Sequence, residues 1–267
     1  PETCAGAKAG AKTPPADCGE PVAATLTRLA PGVLVAPNAH DPKACKADDP
    51  VGCTTACALG NASACTSLAR QLEKASAQGG SIHSAADHAG PQAAAALYAA
   101  ACLAGQSLAC NNLGVLREQG SGGPPDPGQA ALLYEAACIG GLVRACNNLG
   151  TLLRDGRGRP ANPVESLALF HAACADGEAM ACANLGQSQL AGVGVPPDAV
   201  AALESFRKSC EAGESLGCRN LIFAAKAANR VQDAAAALEK ACKSGVPSAC
   251  TAAGLVPGVS SPKGDAQ

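Results

Sequence analysis

The chain has 267 residues, with 20 basic and 22 acidic side chains and a formal net charge of −2. A balance so close to neutral offers no basic face for nucleic acid, and no apolar run approaches the roughly 18 residues needed to span a membrane. Two Tyr, three Phe, one Met and no Trp give little bulky filler for a compact globule, whereas the abundant alanine and leucine suit close helix–helix packing.

Residues 1–40 are rich in Pro, Ala and Gly and predict a loose N-terminal arm, tethered by a Cys4–Cys18 bridge. The chain opens at Pro1 without Met, so an export signal is expected to have been removed. Cys4 follows "PET", unlike the small and apolar residues that precede a lipid-modified cysteine. The segment "CKADDPVGC" (45–53) has no helix-length stretch between it and Cys57, and reads as the N-terminal cap of an array over 41–255. Here the dominant spacing becomes C-x7-C: Cys45/Cys53, Cys57/Cys65, Cys102/Cys110, Cys138/Cys146, Cys174/Cys182, Cys210/Cys218 and Cys242/Cys250. Zinc sites favour C-x2–4-C spacings completed by further Cys or His. Seven pairs at one spacing read instead as a disulfide framework, which implies periplasm, cell surface or medium.

The first cysteines Cys102, Cys138, Cys174 and Cys210 are each 36 residues apart, and Cys242 follows after 32. Aligned on them, Tyr98, Tyr134, Phe170, Phe206 and Leu238 form a column four residues earlier, and Leu97, Leu133 and Leu169 one residue before that. Three residues after the cysteine stand Gly105, Gly141, Gly177, Gly213 and Gly245, with Gly60 in the Cys57 unit. "PGQAALLYEAAC" (127–138) has helical apolar spacing with Asp126 as N-cap, and the glycine suits the turn that ends it. "RACNNLGTLLRDG" (144–156) predicts a second helix, closed at Gly120, Gly156 and Gly192 in successive repeats. The unit is therefore a helix pair, with a disulfide joining the end of one helix to the start of the next. A long loop interrupts the array at 77–91, and 256–267 predicts a flexible tail.

From 57 to about 254 these columns resemble the Sel1-like repeats, relatives of the tetratricopeptide repeats. They are similar above all to the cysteine-rich bacterial branch typified by the Helicobacter cysteine-rich proteins. The resemblance implies an all-α, right-handed α/α solenoid of disulfide-stapled helix pairs. It also implies a non-catalytic scaffold for a protein or peptide partner, in the envelope or outside the cell, without cofactor. Departures are the nine extra residues between Cys65 and Cys102, and a last unit four residues shorter that lacks "NLG".

Four histidines are available: His40, His83, His88 and His171. His83 and His88 lie near Asp87 in the long loop, where solvated side chains are expected rather than a metal site. The Helicobacter relatives are associated with penicillin binding and weak β-lactam hydrolysis, and "SFRK" (205–208) matches S-x-x-K. Ser205, however, occupies the leucine column, so its hydroxyl is expected to point into the core. A structural subunit of a surface assembly is a third possible role.

Two residues after the second cysteine stand Asn112, Asn148, Asn184 and Asn220. A polar side chain recurring on an apolar helix face needs a partner. One reading is a structural ladder of amides. The other comes from the tetratricopeptide resemblance: the amides hold the backbone of an extended peptide, since each supplies a donor and an acceptor. Specificity would then fall to the neighbouring positions Arg117, Arg154 and Gln189.

Overall fold

The computed structural model describes residues 50–77 and 90–255, and every regular element among them is an α-helix. They are α1 (Pro50–Ala58), α2 (Ala62–Ala77), α3 (Gly90–Leu103), α4 (Ser107–Gln119), α5 (Pro127–Ile139) and α6 (Val143–Asp155). There follow α7 (Pro163–Ala175), α8 (Ala179–Ala191), α9 (Ala199–Glu211), α10 (Ser215–Ala227), α11 (Val231–Lys243) and α12 (Pro247–Ala253). The chain divides into two compact units, residues 1–141 and 142–267. Within each, helices pack against their neighbours in sequence. In the second unit α6, α8, α10 and α12 also touch in succession, which makes them one layer of a stack of helix pairs. The predicted arm, tail, and most of the 77–91 loop lie outside the described residues, as do Cys4, Cys18, Cys45, His40, His83 and His88. Helix α1 runs through both Cys53 and Cys57, so the segment that reads as a cap ends inside the first helix.

Local chemistry sets each boundary. The side chains of Asp126, Asn162 and Asp198 cap α5, α7 and α9, accepting from the backbone N–H groups of Gln129, Glu165 and Ala201 at 2.9, 3.2 and 2.9 Å. The same three residues donate their own N–H groups back to the carbonyls of Arg117, Leu153 and Gln189 at 2.7 to 2.9 Å, so three long loops close alike. At the other end of the pair, Gly105, Gly141, Gly177, Gly213 and Gly245 have φ between 85 and 91°. An added Cβ would meet nothing within 4 Å at any of the five, so left-handed backbone alone requires glycine there.

A different glycine column has a steric cause. At Gly114, Gly150 and Gly186 a Cβ would lie 2.7, 2.8 and 2.9 Å from the rings of Tyr134, Phe170 and Phe206. These rings, with Tyr98, are 0 to 1 % exposed and are the bulkiest core residues. Each contributes about 1.5–3 kcal/mol by burial, and the glycine lets its helix approach the ring. In the last pair the column holds Ile222, and the ring is replaced by Leu238 in the same core cluster. A second exchange conserves volume in the same way. Ser209 replaces the alanine found before the other first cysteines, and Gly217 replaces the alanine before the second, where a Cβ would be 2.3 Å from the Ser209 Oγ.

The residue eight positions after the second cysteine answers to the ring as well. Tyr134 donates its hydroxyl to Glu118 at 2.7 Å, and Tyr98 donates to Glu73. Burial, reinforced by that carboxylate, raises the Tyr98 phenol well above its ordinary pKa. Where the ring is Phe170 the same position is Arg154, whose guanidinium carbon lies 5.7 Å from the ring centre. Opposite Phe206 it is Leu190, packed on the core.

Five bridges follow the predicted pairing: Cys57–Cys65, Cys102–Cys110, Cys174–Cys182, Cys210–Cys218 and Cys242–Cys250, with Cα separations of 4.4 to 4.7 Å. Cys53, Cys138 and Cys146 are disulfide-bonded too. No helix of the described residues is long and apolar enough to cross a membrane.

Candidate functional site

The layer formed by α6, α8 and α10 leaves one stripe of each helix uncovered. On α6 it consists of Arg144, Asn148, Thr151 and Asp155, at i, i+4, i+7 and i+11. Residues between them, such as Ala145, Leu149, Leu152 and Leu153, are buried. The stripe continues as Met180, Asn184, Gln187 and Ala191 on α8, and as Leu216, Asn220, Phe223 and Ala227 on α10. In the first unit the equivalent residues of α4 are Leu108, Asn112, Val115 and Gln119. The asparagine column thus follows the face of each helix that its neighbours leave most open, with Asn184 itself buried on α8.

The amides do not all behave alike. Asn184 is only 8 % exposed, and its Nδ2 donates to Oδ1 of Asn147 at 2.8 Å. Its own Oδ1 accepts from Arg154 Nη1 at 3.4 Å. The rung therefore joins Asn184 to the first asparagine of the preceding "CNN", which the sequence reading did not single out. Asn111 and Asn147 are in fact the more buried member of each doublet, at 3 and 6 % exposure. The doublet itself was the available signal: two adjacent amides 100° apart on a helix cannot share a face. Asn112 accepts weakly from Asn111 at 3.4 Å. Asn148 and Asn220 are half-exposed, and Asn220 has no hydrogen-bond partner among the described residues.

Arg117 and Gln189 lie elsewhere, and Arg154, turned away from Asn148 on its own helix, reaches Asn184 of the next repeat. Five or six residues along a helix from an asparagine turns a side chain about 120–140° away from it. Gln189 accepts from Ser205 Oγ at 2.7 Å, across the interface of α8 with α9. Arg154 pairs with Asp155 at 2.8 Å besides its contacts with Asn184 and Phe170. Arg117 is half-buried, and its Nε meets no acceptor among the described residues. Ser205 is 5 % exposed and spent on Gln189: a polar pair replaces the leucine packing of the other repeats, as its column predicts. His171 is exposed on α7.

A shallow pocket lies between α9 and α11, floored by Leu203, Leu221 and Ala237. The arginines on its rim are paired on their own helices, Arg207 with Glu204 and Glu211 and Arg230 with Asp233. Glu204 is held below the ordinary carboxylate range by the Arg207 bond. The rim accordingly presents no unpaired charge.

The Asn184–Asn147 bond makes a prediction. In Asn184→Ala the buried Asn147 carbonyl loses its donor, so denaturant unfolding should show a loss of about 1–3 kcal/mol. An unchanged midpoint would show that the rung contributes nothing.

Residues 107–142, 143–178 and 179–214 match the Sel1 repeat family. Each matched repeat begins at the helix that carries a second cysteine, so Cys174–Cys182 links consecutive repeats rather than the two helices of one. The fold is similar to the crystal structure of c5321, a protective antigen of uropathogenic Escherichia coli strains displaying an SLR fold. The TM-score is 0.63 at 24 % identity, over 77 % of this chain and 43 % of that one. The chain therefore spans less than half the length of that protein. A Sel1 repeat protein from Oxalobacter formigenes is similar with a TM-score of 0.57 at 22 % identity, over 72 % of this chain and 76 % of its own. No curated protein sequence matches the chain.

Proposed function

From the three Sel1 repeats matched between residues 107 and 214, we propose that the chain is a non-catalytic binding scaffold. It grips an extended protein segment on the uncovered face of α6, α8 and α10. The observation that carries this reading is the amide column, set on that face and half-open at Asn148 and Asn220. An amide there offers a donor and an acceptor to a peptide unit whatever its side chain. Asn184, tied to Asn147, serves as the rigid member between them. The set of bridges supports an oxidising compartment outside the cytoplasm, since thiols in the cytosol are kept reduced.

Selection of extended peptides from a displayed random library on the immobilised protein tests the reading. Peptides bound by the protein should be lost by the Asn148→Ala/Asn220→Ala double variant, and Asn220→Ala alone should weaken them while the melting temperature changes little, because alanine is the better helix former. Equal binding by a folded double variant would remove the amide clamp.

A further inference from the structure

On α10 three exposed side chains fall at i, i+4 and i+7: Arg219, Phe223 and Lys226. Phe223 is 59 % exposed, although every other Phe and Tyr among the described residues is fully buried. Its counterparts in the same column are Thr151 and Gln187. The flank that holds Arg219 is covered in the preceding helices, where Asn147 and Ala183 occupy the position and are buried. Beside α10 the next helix of the layer, α12, has 7 residues in place of 13, so this flank stays open.

Neither cation is engaged. Arg219 and Lys226 make no ion pair or hydrogen bond among the described residues, and the same holds for Arg144 on the uncovered stripe of α6. The one carboxylate on that stripe, Asp155, is already paired with Arg154. Lys226, in the last turn of α10, has a helix-dipole rationale. Arg219 stands near the first turn, where the dipole disfavours a cation, and nothing among the described residues offsets that cost. An exposed ring between two unpaired cations is a surface fitted to apolar contact flanked by carboxylates.

We infer that the Arg219–Phe223–Lys226 stripe docks an acidic protein segment in which an apolar side chain sits between two carboxylates. This rests on the uncovered face being the binding face, and names the chemistry of what lies there. Seven residues of helix separate the two cations by about 10.5 Å. A polyproline II segment, with three residues per turn and a rise of about 3.1 Å, covers about 9 Å in three residues and brings residues i and i+3 to one side. The preferred spacing is therefore a carboxylate at each end of a four-residue core with the apolar residue inside.

Fluorescence anisotropy with three labelled peptides, SGELFEGS, SGKLFKGS and SGESSEGS, tests the inference on the full chain. SGELFEGS should bind, weaken as salt rises, and lose at least about tenfold in affinity with R219E/K226E and with Phe223→Ala. The other two peptides should bind at least about tenfold more weakly. All three substituted residues are exposed, so the variants should melt as the parent does. The R219E/K226E variant should in turn gain affinity for SGKLFKGS, a result that loss of folding cannot mimic. Failure of SGELFEGS to bind at millimolar concentration would overturn the stripe, as would equal binding of the lysine peptide or indifference to R219E/K226E. Asn220→Ala separates the two readings. If it leaves SGELFEGS binding intact while R219E/K226E abolishes it, the amide clamp fails and the stripe stands. The reverse pattern sinks the stripe and keeps the clamp.

Discussion

Reduction of the disulfides should unfold the protein at room temperature, with loss of most of its helical circular dichroism. A bridge that closes a ring of nine residues constrains the unfolded chain by roughly 2–3 kcal/mol on the loop-entropy account. Domains are stable by only about 5–15 kcal/mol in total. Five such bridges are seen directly, and Cys53, Cys138 and Cys146 are bonded as well. The core they support is built largely of alanine, whose burial contributes little per residue. Its bulky members are Tyr98, Tyr134, Phe170, Phe206 and a few leucines. Removing several staples therefore exceeds the whole margin. The mass of the unreduced chain should be about 16 units below the reduced value if all eight expected bridges form. A helical signal that survives reduction verified by mass would show that packing alone suffices, and that the bridges serve something other than stability.

Gly150→Ala should be destabilising by about 1–3 kcal/mol, the usual penalty for overpacking a core. Helix propensity alone argues for the opposite sign, because alanine is better than glycine by about 1 kcal/mol inside a helix. The steric effect wins because the new Cβ would stand 2.8 Å from Cε1 of Phe170, a ring that is fully buried and has nowhere to go. Combining it with Phe170→Leu should cost less than the sum of the two single changes, since the smaller side chain opens the space that the Cβ needs. The chain already contains such a pair in Ile222 and Leu238. Urea unfolding of the two single variants and the double variant measures the coupling. A neutral or stabilising Gly150→Ala would mean that α6 and α7 can separate freely, and would remove the steric reason for this glycine column.

The elements and their joints were legible in the sequence because each depends on neighbours within one or two turns. Asp126 reaches Gln129, the Gly105 turn closes on Cys102, and the cysteines of each observed bridge are eight residues apart. Helix α1 reaches back past Cys53 to Pro50, a start that no cap residue marks and that packing on α2 supports. The repeat period runs unbroken through residues 141 and 142, so no local feature marks the division into two compact units there.

Composition, period and cysteine spacing determined by themselves that this protein is a stack of stapled helix pairs, since caps, turns and nine-residue rings are short-range events. Only the tertiary structure decided what the asparagines and glycines are for. The two amides of "CNN" are chemically identical, and what separates Asn147 from Asn148 is that Asn184, 37 residues later, reaches one of them. Gly150 likewise carries no sign of its purpose until the ring of Phe170, 20 residues on, closes against it. The directions in which side chains meet across helices are set by packing, and packing joins residues whose distance in the chain says nothing of their distance in space.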